Sequence, residues 1–158
     1  MSAVDTSRSS IGLVALGQSI FEPVQRIGTP LIDLAIRLMI ARVFFLSGLT
    51  KINDWDNTLL LFEYEYMVPV LPVDLAAMAA TFFELAMPVL IAIGLLTRFA
   101  VIPLFVMALV IQFVLGAANP AYNNIEHFYW MILLAYIFIR GAGPLSADHL
   151  AAGKLGIR

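Results

Sequence analysis

Residues 75–96 read LAAMAATFFELAMPVLIAIGLL, an apolar run whose one charge is Glu84. Coiled into a helix at about 1.5 Å per residue, such a run is long enough to cross the roughly 30 Å hydrocarbon core of a bilayer. Three further apolar stretches flank it, at about residues 31–52, 99–118 and 125–140, and the run itself extends to about 74–96. The last stretch is near the lower length limit for a crossing. The chain of 158 residues is 61% hydrophobic and 13% charged, against roughly a quarter charged in an ordinary soluble domain. The expected fold is all-α: a four-helix transmembrane bundle with an N-terminal interfacial segment and a structured outer loop. Residues 1–30 form the tail and interfacial segment, 31–140 the membrane domain, and 141–158 a cytoplasmic tail.

Several function classes drop out at this level. The chain has no cysteine, so disulfides, thiolate metal sites and a redox-active thiol pair are excluded, and any electron transfer uses something the protein binds. A formal net charge of -2 with few, dispersed basic residues gives no surface for nucleic acid. No phosphate loop, dinucleotide fingerprint, His-Glu-x-x-His metal motif or serine nucleophile elbow is present. The first apolar stretch begins near residue 31, too late and too long for the core of a cleavable signal, and the N-terminus is expected to stay attached.

Charge placement orients the chain. Arg8 and Arg26 precede the first stretch, Arg98 sits in the short turn between the second and third, and Arg140, Lys154 and Arg158 follow the fourth. Residues 53–74 carry Asp54, Asp56, Glu63, Glu65 and Asp74 and no basic residue. The basic-residue rule therefore places both termini in the cytoplasm of a multi-pass protein of the bacterial inner membrane, with 53–74 and 117–124 outside. Leu13, Leu16, Ile20, Val24 and Ile27 give the N-terminal segment an apolar side suited to the membrane surface, and Gly28-Thr29-Pro30 is read as the turn into the first crossing. In the outer loop, Trp55, Leu59, Phe62 and Tyr66 form a short amphipathic segment, ended by Val68-Pro69-Val70-Leu71-Pro72.

Ionisable groups inside crossings are site candidates, because burying a charge in lipid is costly without a partner. Arg42 and Glu84 lie near the middle of their respective runs and are expected to face each other, with Gln112 contributing to a polar centre. The pair reads either as a clamp between helices or as a proton-handling, ligand-orienting site. Arg37 and Asp33, four residues apart, are expected to pair on one helical face near the inner boundary, with Arg37 snorkelling. Lys51 near the outer interface reads as an anchor or as a holder of an anionic ligand. His127 opens the fourth stretch and is suited to proton exchange; with His149 on the opposite face, no two-histidine metal site forms. Tyr64, Tyr66, Tyr122, Tyr129 and Trp130 gather at the outer side, either as an interfacial belt or as the walls of a cleft for a flat apolar cofactor such as a quinone.

The stretches Arg42–Ile52 (RVFFLSGLTKI), Phe83–Pro88 (FELAMP), Gly94–Arg98 (GLLTR) and Gly141–Asp148 (GAGPLSAD) together resemble the DoxX-like family of small membrane proteins. Asp54-Trp55-Asp56 with Leu61–Tyr66 and Val68-Pro69 is similar to a branch associated with small copper-binding modified peptides; that branch carries histidine where this chain has Met67, and His127 is retained. The resemblance implies a four-helix membrane fold, and for some members a role in a thiosulfate:quinone oxidoreductase or other redox complex. The resulting expectation is a membrane subunit of a redox system coupling a partner to quinone. Glu84, Arg42 and His127 are the chemical groups; Lys51, Tyr66, Gln112 and Trp130 hold the cofactor, and no metal site is assigned. Quinone ranks ahead of copper as cofactor. A transport or assembly factor for a copper-associated modified peptide, or a non-catalytic structural partner, is the alternative. Partners are the lipid bilayer and a protein or modified peptide at the outer face.

Overall fold

The computed structural model describes residues 3–68 and 70–156, with side chains described at Ser19 and from Phe21 onward. The elements are all helical: α1 (Ala3–Asn53), α2 (Trp55–Leu60), α3 (Val73–Ile93), α4 (Thr97–Leu109), α5 (Gly116–Ala118), α6 (Ile125–Arg140) and α7 (Ala147–Lys154). Wider π-type turns continue α2 through Leu61–Tyr66 and join α4 to α5 through Val110–Leu115. A short 3-10 turn, Pro120–Tyr122, precedes α6. Two helical spans are long and apolar enough to cross a membrane, Val73–Ile93 and Thr97–Ala118. The stretch 31–52 carries Asp33, Arg37, Arg42 and Lys51, and α6 is 16 residues long. Length and composition do not establish the crossings expected at those two stretches.

By contacts the chain divides at residues 32 and 33. In the first unit, Phe21, Glu22, Pro23, Val24, Gln25, Arg26 and Ile27 are all exposed, so neither side of that stretch is covered within the unit. The apolar side expected from Leu13, Leu16 and Ile20 lies outside the described side chains. The turn expected at Gly28-Thr29-Pro30 is not there: both Pro23 and Pro30 lie inside helix. Each proline removes one backbone donor, which bends a helix or costs it stability without obliging it to end.

The second unit holds everything else. Its core is Ile40, Ala41 and Phe44 of α1, Ile91 of α3, Ala100, Val101 and Leu104 of α4, and Leu134 and Ile137 of α6. On α1 the buried positions 33, 37, 40, 41, 44 and 48 recur at spacings of three and four, one stripe of a helix. On α3 the stripe is 77, 81, 84, 88 and 91, and it passes through Pro88 without interrupting the helix. Gly48 sets the closest approach: a Cβ there would lie 2.9 Å from the Leu85 side chain and 3.1 Å from the Glu84 carbonyl carbon. The aromatic segment after α1 packs along the side its pattern predicts. Trp55, Leu59 and Tyr66 pack around Phe62 against Ala76 and Ala77 at the start of α3.

Candidate functional site

Glu84 is the polar centre, and its partner is Lys51. The Lys51 ammonium donates to Glu84 Oε2 at 2.6 Å and to Ser47 Oγ at 3.1 Å, while Ser47 Oγ donates to Glu84 Oε1 at 3.3 Å. Ser47 and Lys51 stand one turn apart on the buried stripe of α1, which brings both groups to the carboxylate from one side. Glu84 is 3% exposed, so the ion pair and hydroxyl are what make burial of its charge tolerable.

Arg42 does not meet Glu84. It is exposed and holds no hydrogen bond or ion pair among the described residues. Two displacements explain this. At 100° per residue Arg42 projects roughly 160° away from the middle of the buried stripe. It also precedes Gly48, the residue level with Glu84, by six positions, or about 9 Å along the axis. The midpoint of an apolar run is not the midpoint of the packed bundle.

Gln112 serves a different group. Its Nε2 donates to Asn123 Oδ1 at 2.5 Å, and its Oε1 lies 2.9 Å from His127 Nδ1. With the amide held in that sense, Nδ1 carries the proton and the lone pair of a neutral imidazole is on Nε2. His127 is buried and stands edge-on to Trp130, with ring centroids 4.9 Å apart.

These groups surround one cavity of about 540 Å³, the size of a small-molecule site. Lys51, Tyr66, Glu84, His127 and Trp130 all line it, five of the seven residues singled out from the sequence. The remaining wall is largely apolar, with Phe44 and Phe62 among its rings. Gln112 stands behind His127 rather than at the surface of the cavity, and Arg42 is absent from it. At the rim, Tyr66 packs edge-on against Phe62 and Tyr122 at 4.9 and 5.7 Å, and the Tyr122 hydroxyl donates to Glu65. Burial, then the Glu84 and Glu65 carboxylates, push the Tyr66 phenol above its ordinary range. Tyr122 is pushed up to about 12, first by its bond to Glu65 and then by burial.

A second polar cluster lies at the other end of the bundle. Arg37, 1% exposed, donates from Nη1 to the carbonyls of Ile91 and Ala92, each at 3.2 Å, and from Nη2 to that of Leu145. Asp33 accepts from Tyr136 at 2.6 Å and from Arg140 at 3.3 Å. The expected Asp33–Arg37 pair is replaced by these longer-range bonds, and Arg37 is enclosed instead of reaching for an interface. Asp148 accepts from the backbone amides of Leu96 and Thr97 at 2.8 and 3.1 Å, capping α4. Gly94, at φ +72°, is required here, because a Cβ would fall 2.4 Å from Arg37 Nη1. The signal for the cluster was the pairing of GLLTR with GAGPLSAD among the family fragments.

The chain is helical, with two helices long and apolar enough to cross a membrane and a buried ion pair beside a largely apolar cavity. The DoxX family pattern matches residues 32–117, more than half of the chain, and the chain belongs to that family of membrane proteins. It is 31% identical over 134 residues to a protein of Haemophilus influenzae described as uncharacterized, covering 80% of this chain and 87% of the other. No solved structure matches it.

Proposed function

We propose that the chain is a four-crossing inner-membrane subunit of a redox system, with cytoplasmic termini, and that the cavity between Lys51, Glu84 and His127 takes a quinone. The carrying observation is that a cation, a carboxylate and an imidazole line a single, otherwise largely apolar cavity of about 540 Å³ with Tyr66 and Trp130. The residues fit the group: aromatic and aliphatic walls suit a flat ring, and the polar side chains are few and convergent. A bound quinone supplies two-electron, two-proton chemistry, with the electrons drawn from a redox-active protein partner. Lys51 favours negative charge developing on a ring oxygen, by charge-assisted hydrogen bonding in a dry site. Glu84 and His127, here a carboxylate and an imidazole unprotonated at Nε2, would each take up a proton from the aqueous side before passing it on. Gln112, held by Asn123, leaves Nε2 as the nitrogen that does so. Exposed Asp54, Asp56, Glu63, Glu65 and Glu126 favour a cationic partner at the outer face. The same acidic face favours the second reading, docking of a copper-associated modified peptide.

Purification in native lipid followed by quinone and metal analysis tests the ranking. Bound or titratable quinone in wild type, lost in Glu84→Gln with folding retained, is the expected result. Absence of quinone together with a reproducible copper or peptide complex reverses it. Orientation is checked by cysteine accessibility at Asn57 and Lys154 in whole cells; outside labelling at Lys154 overturns the proposed topology.

A further inference from the structure

We propose that the groove between α4 and α6, with the arginine-flanked cavity at its end, binds one anionic phospholipid; this rests on the membrane-spanning reading above. The groove has a volume of about 240 Å³ and walls of Val101, Phe105, Leu134, Ala135, Phe138 and Ile139, with no polar side chain. A second cavity, of about 520 Å³, takes over where the groove stops: Arg98 and Phe99 precede Val101 on α4, and Arg140 and Gly141 follow Ile139 on α6. At the junction Arg98 Nη2 donates to the Ile139 carbonyl at 3.4 Å, a weak bond. An acyl chain fits the first space and a phosphate-bearing headgroup the second.

The charges at this end favour an anion. Asp148 is committed to the Leu96 and Thr97 amides, and Asp33 to Tyr136 and to Arg140 Nε. Asp33 is on the cavity wall, and its second oxygen is buried beside Gly143, where an added Cβ would lie 2.8 Å from it. Arg98 has no carboxylate within ion-pair distance among the described residues, and Arg140 uses Nε alone, its side chain 46% exposed. Two guanidinium groups with free donor edges match the oxygens of a phosphodiester. Free phosphate has the same headgroup chemistry but leaves the apolar groove unexplained.

Native mass spectrometry of the detergent-solubilised chain, mixed with phosphatidylglycerol or phosphatidylcholine and challenged with inorganic phosphate, tests this. The expected result is retention of phosphatidylglycerol about tenfold above phosphatidylcholine, undisturbed by phosphate. Arg98→Gln should abolish the preference. Ala135→Phe, which fills the groove and leaves the arginines in place, should lower phosphatidylglycerol retention to a similar degree, and it decides the matter if Arg98→Gln fails to fold. Equal retention of the two lipids by wild type, an unchanged preference in either variant, or displacement by phosphate overturns the proposal. A chain extracted only with detergent that shows no preference refutes the lipid site alone; a chain soluble without detergent refutes the bilayer reading with it.

Discussion

Arg37 and Glu84 are both enclosed in an apolar bundle, at 1% and 3% exposure, yet their surroundings differ in kind. Arg37 donates to three backbone carbonyls from two segments, the end of α3 and the chain before α7, and a glycine is needed beside it because nothing else fits. Glu84 has one ion pair and one hydroxyl on one side and a cavity of about 540 Å³ on the other. A buried charge held by backbone carbonyls on both terminal nitrogens, with Nε alone unpaired, fastens the fold. A buried charge with open volume beside it has somewhere to put a ligand.

Arg37→Leu should do the most damage. It takes the guanidinium from three carbonyls, of which that of Ile91 keeps the Gly94 amide, and unfastens the segment before α7 from α3, a loss of about 3–5 kcal/mol on the scale of broken buried charge contacts. Thermal unfolding in detergent should show it, and membrane levels should fall. A variant as stable as wild type would erase the contrast between the two regions. Gly94→Ala should cost less, about 2 kcal/mol, since alanine is strained at positive φ and its methyl displaces the Arg37 guanidinium. The double variant should be no worse than Arg37→Leu by the full Gly94→Ala increment, because the clash with Arg37 Nη1 is removed along with the arginine while that with Ser146 Cβ, at 2.5 Å, remains.

Glu84→Gln probes the other side of the comparison. The amide keeps the shape, its oxygen accepting from Lys51 and its nitrogen donating to Ser47 Oγ, so folding should persist with a loss of about 1–2 kcal/mol. Ligand binding or turnover should fall by at least about tenfold. Glu84→Leu should destabilise more, having left the Lys51 ammonium in a largely enclosed site with the Ser47 hydroxyl and no counter-charge. If both variants lose stability equally and bind ligand as wild type does, Glu84 belongs with Arg37 as scaffold.

How much of this was readable without coordinates follows from the same contrast. The helices and the aromatic segment after α1 were legible because apolar length and a spacing of three and four residues are local properties, and α3 and α6 begin and end close to where those properties place them. The cavity was legible through its chemistry: Lys51, Glu84, His127, Tyr66 and Trp130 stand out in an apolar chain whatever their neighbours. Pairing was not. Matching Arg42 to Glu84 by their central positions neglected the facing of the helix, although Asp33, Arg37, Phe44 and Lys51 already lie on one stripe and Arg42 opposite it. The Arg37 cluster was harder still, since its acceptors are backbone carbonyls, which carry no residue signature, and its glycines are informative only once Arg37 is known to pass beside them.

The smallest expected effect belongs to the rim, where Tyr122 closes against Glu65 outside the crossings. Its phenol is pushed up to about 12, first by donating to the Glu65 carboxylate, which is lost on ionisation, and then by burial. A folded pKa above the unfolded value near 10 means that this contact stabilises the fold fully below about pH 10 and ceases to do so as pH rises through about 12. The group is mostly solvated, so screening keeps the contribution to stability small. Difference absorbance between wild type and Tyr122→Phe isolates its phenolate from the other four of the five tyrosines. The expected midpoint lies near 12 in wild type and moves toward 10 in Glu65→Gln, where the acceptor is neutral. An unshifted midpoint in wild type would mean that the rim bond does not persist in the membrane. The cavity mouth would then be open at Tyr66, where the Arg37 end of the bundle has no such freedom.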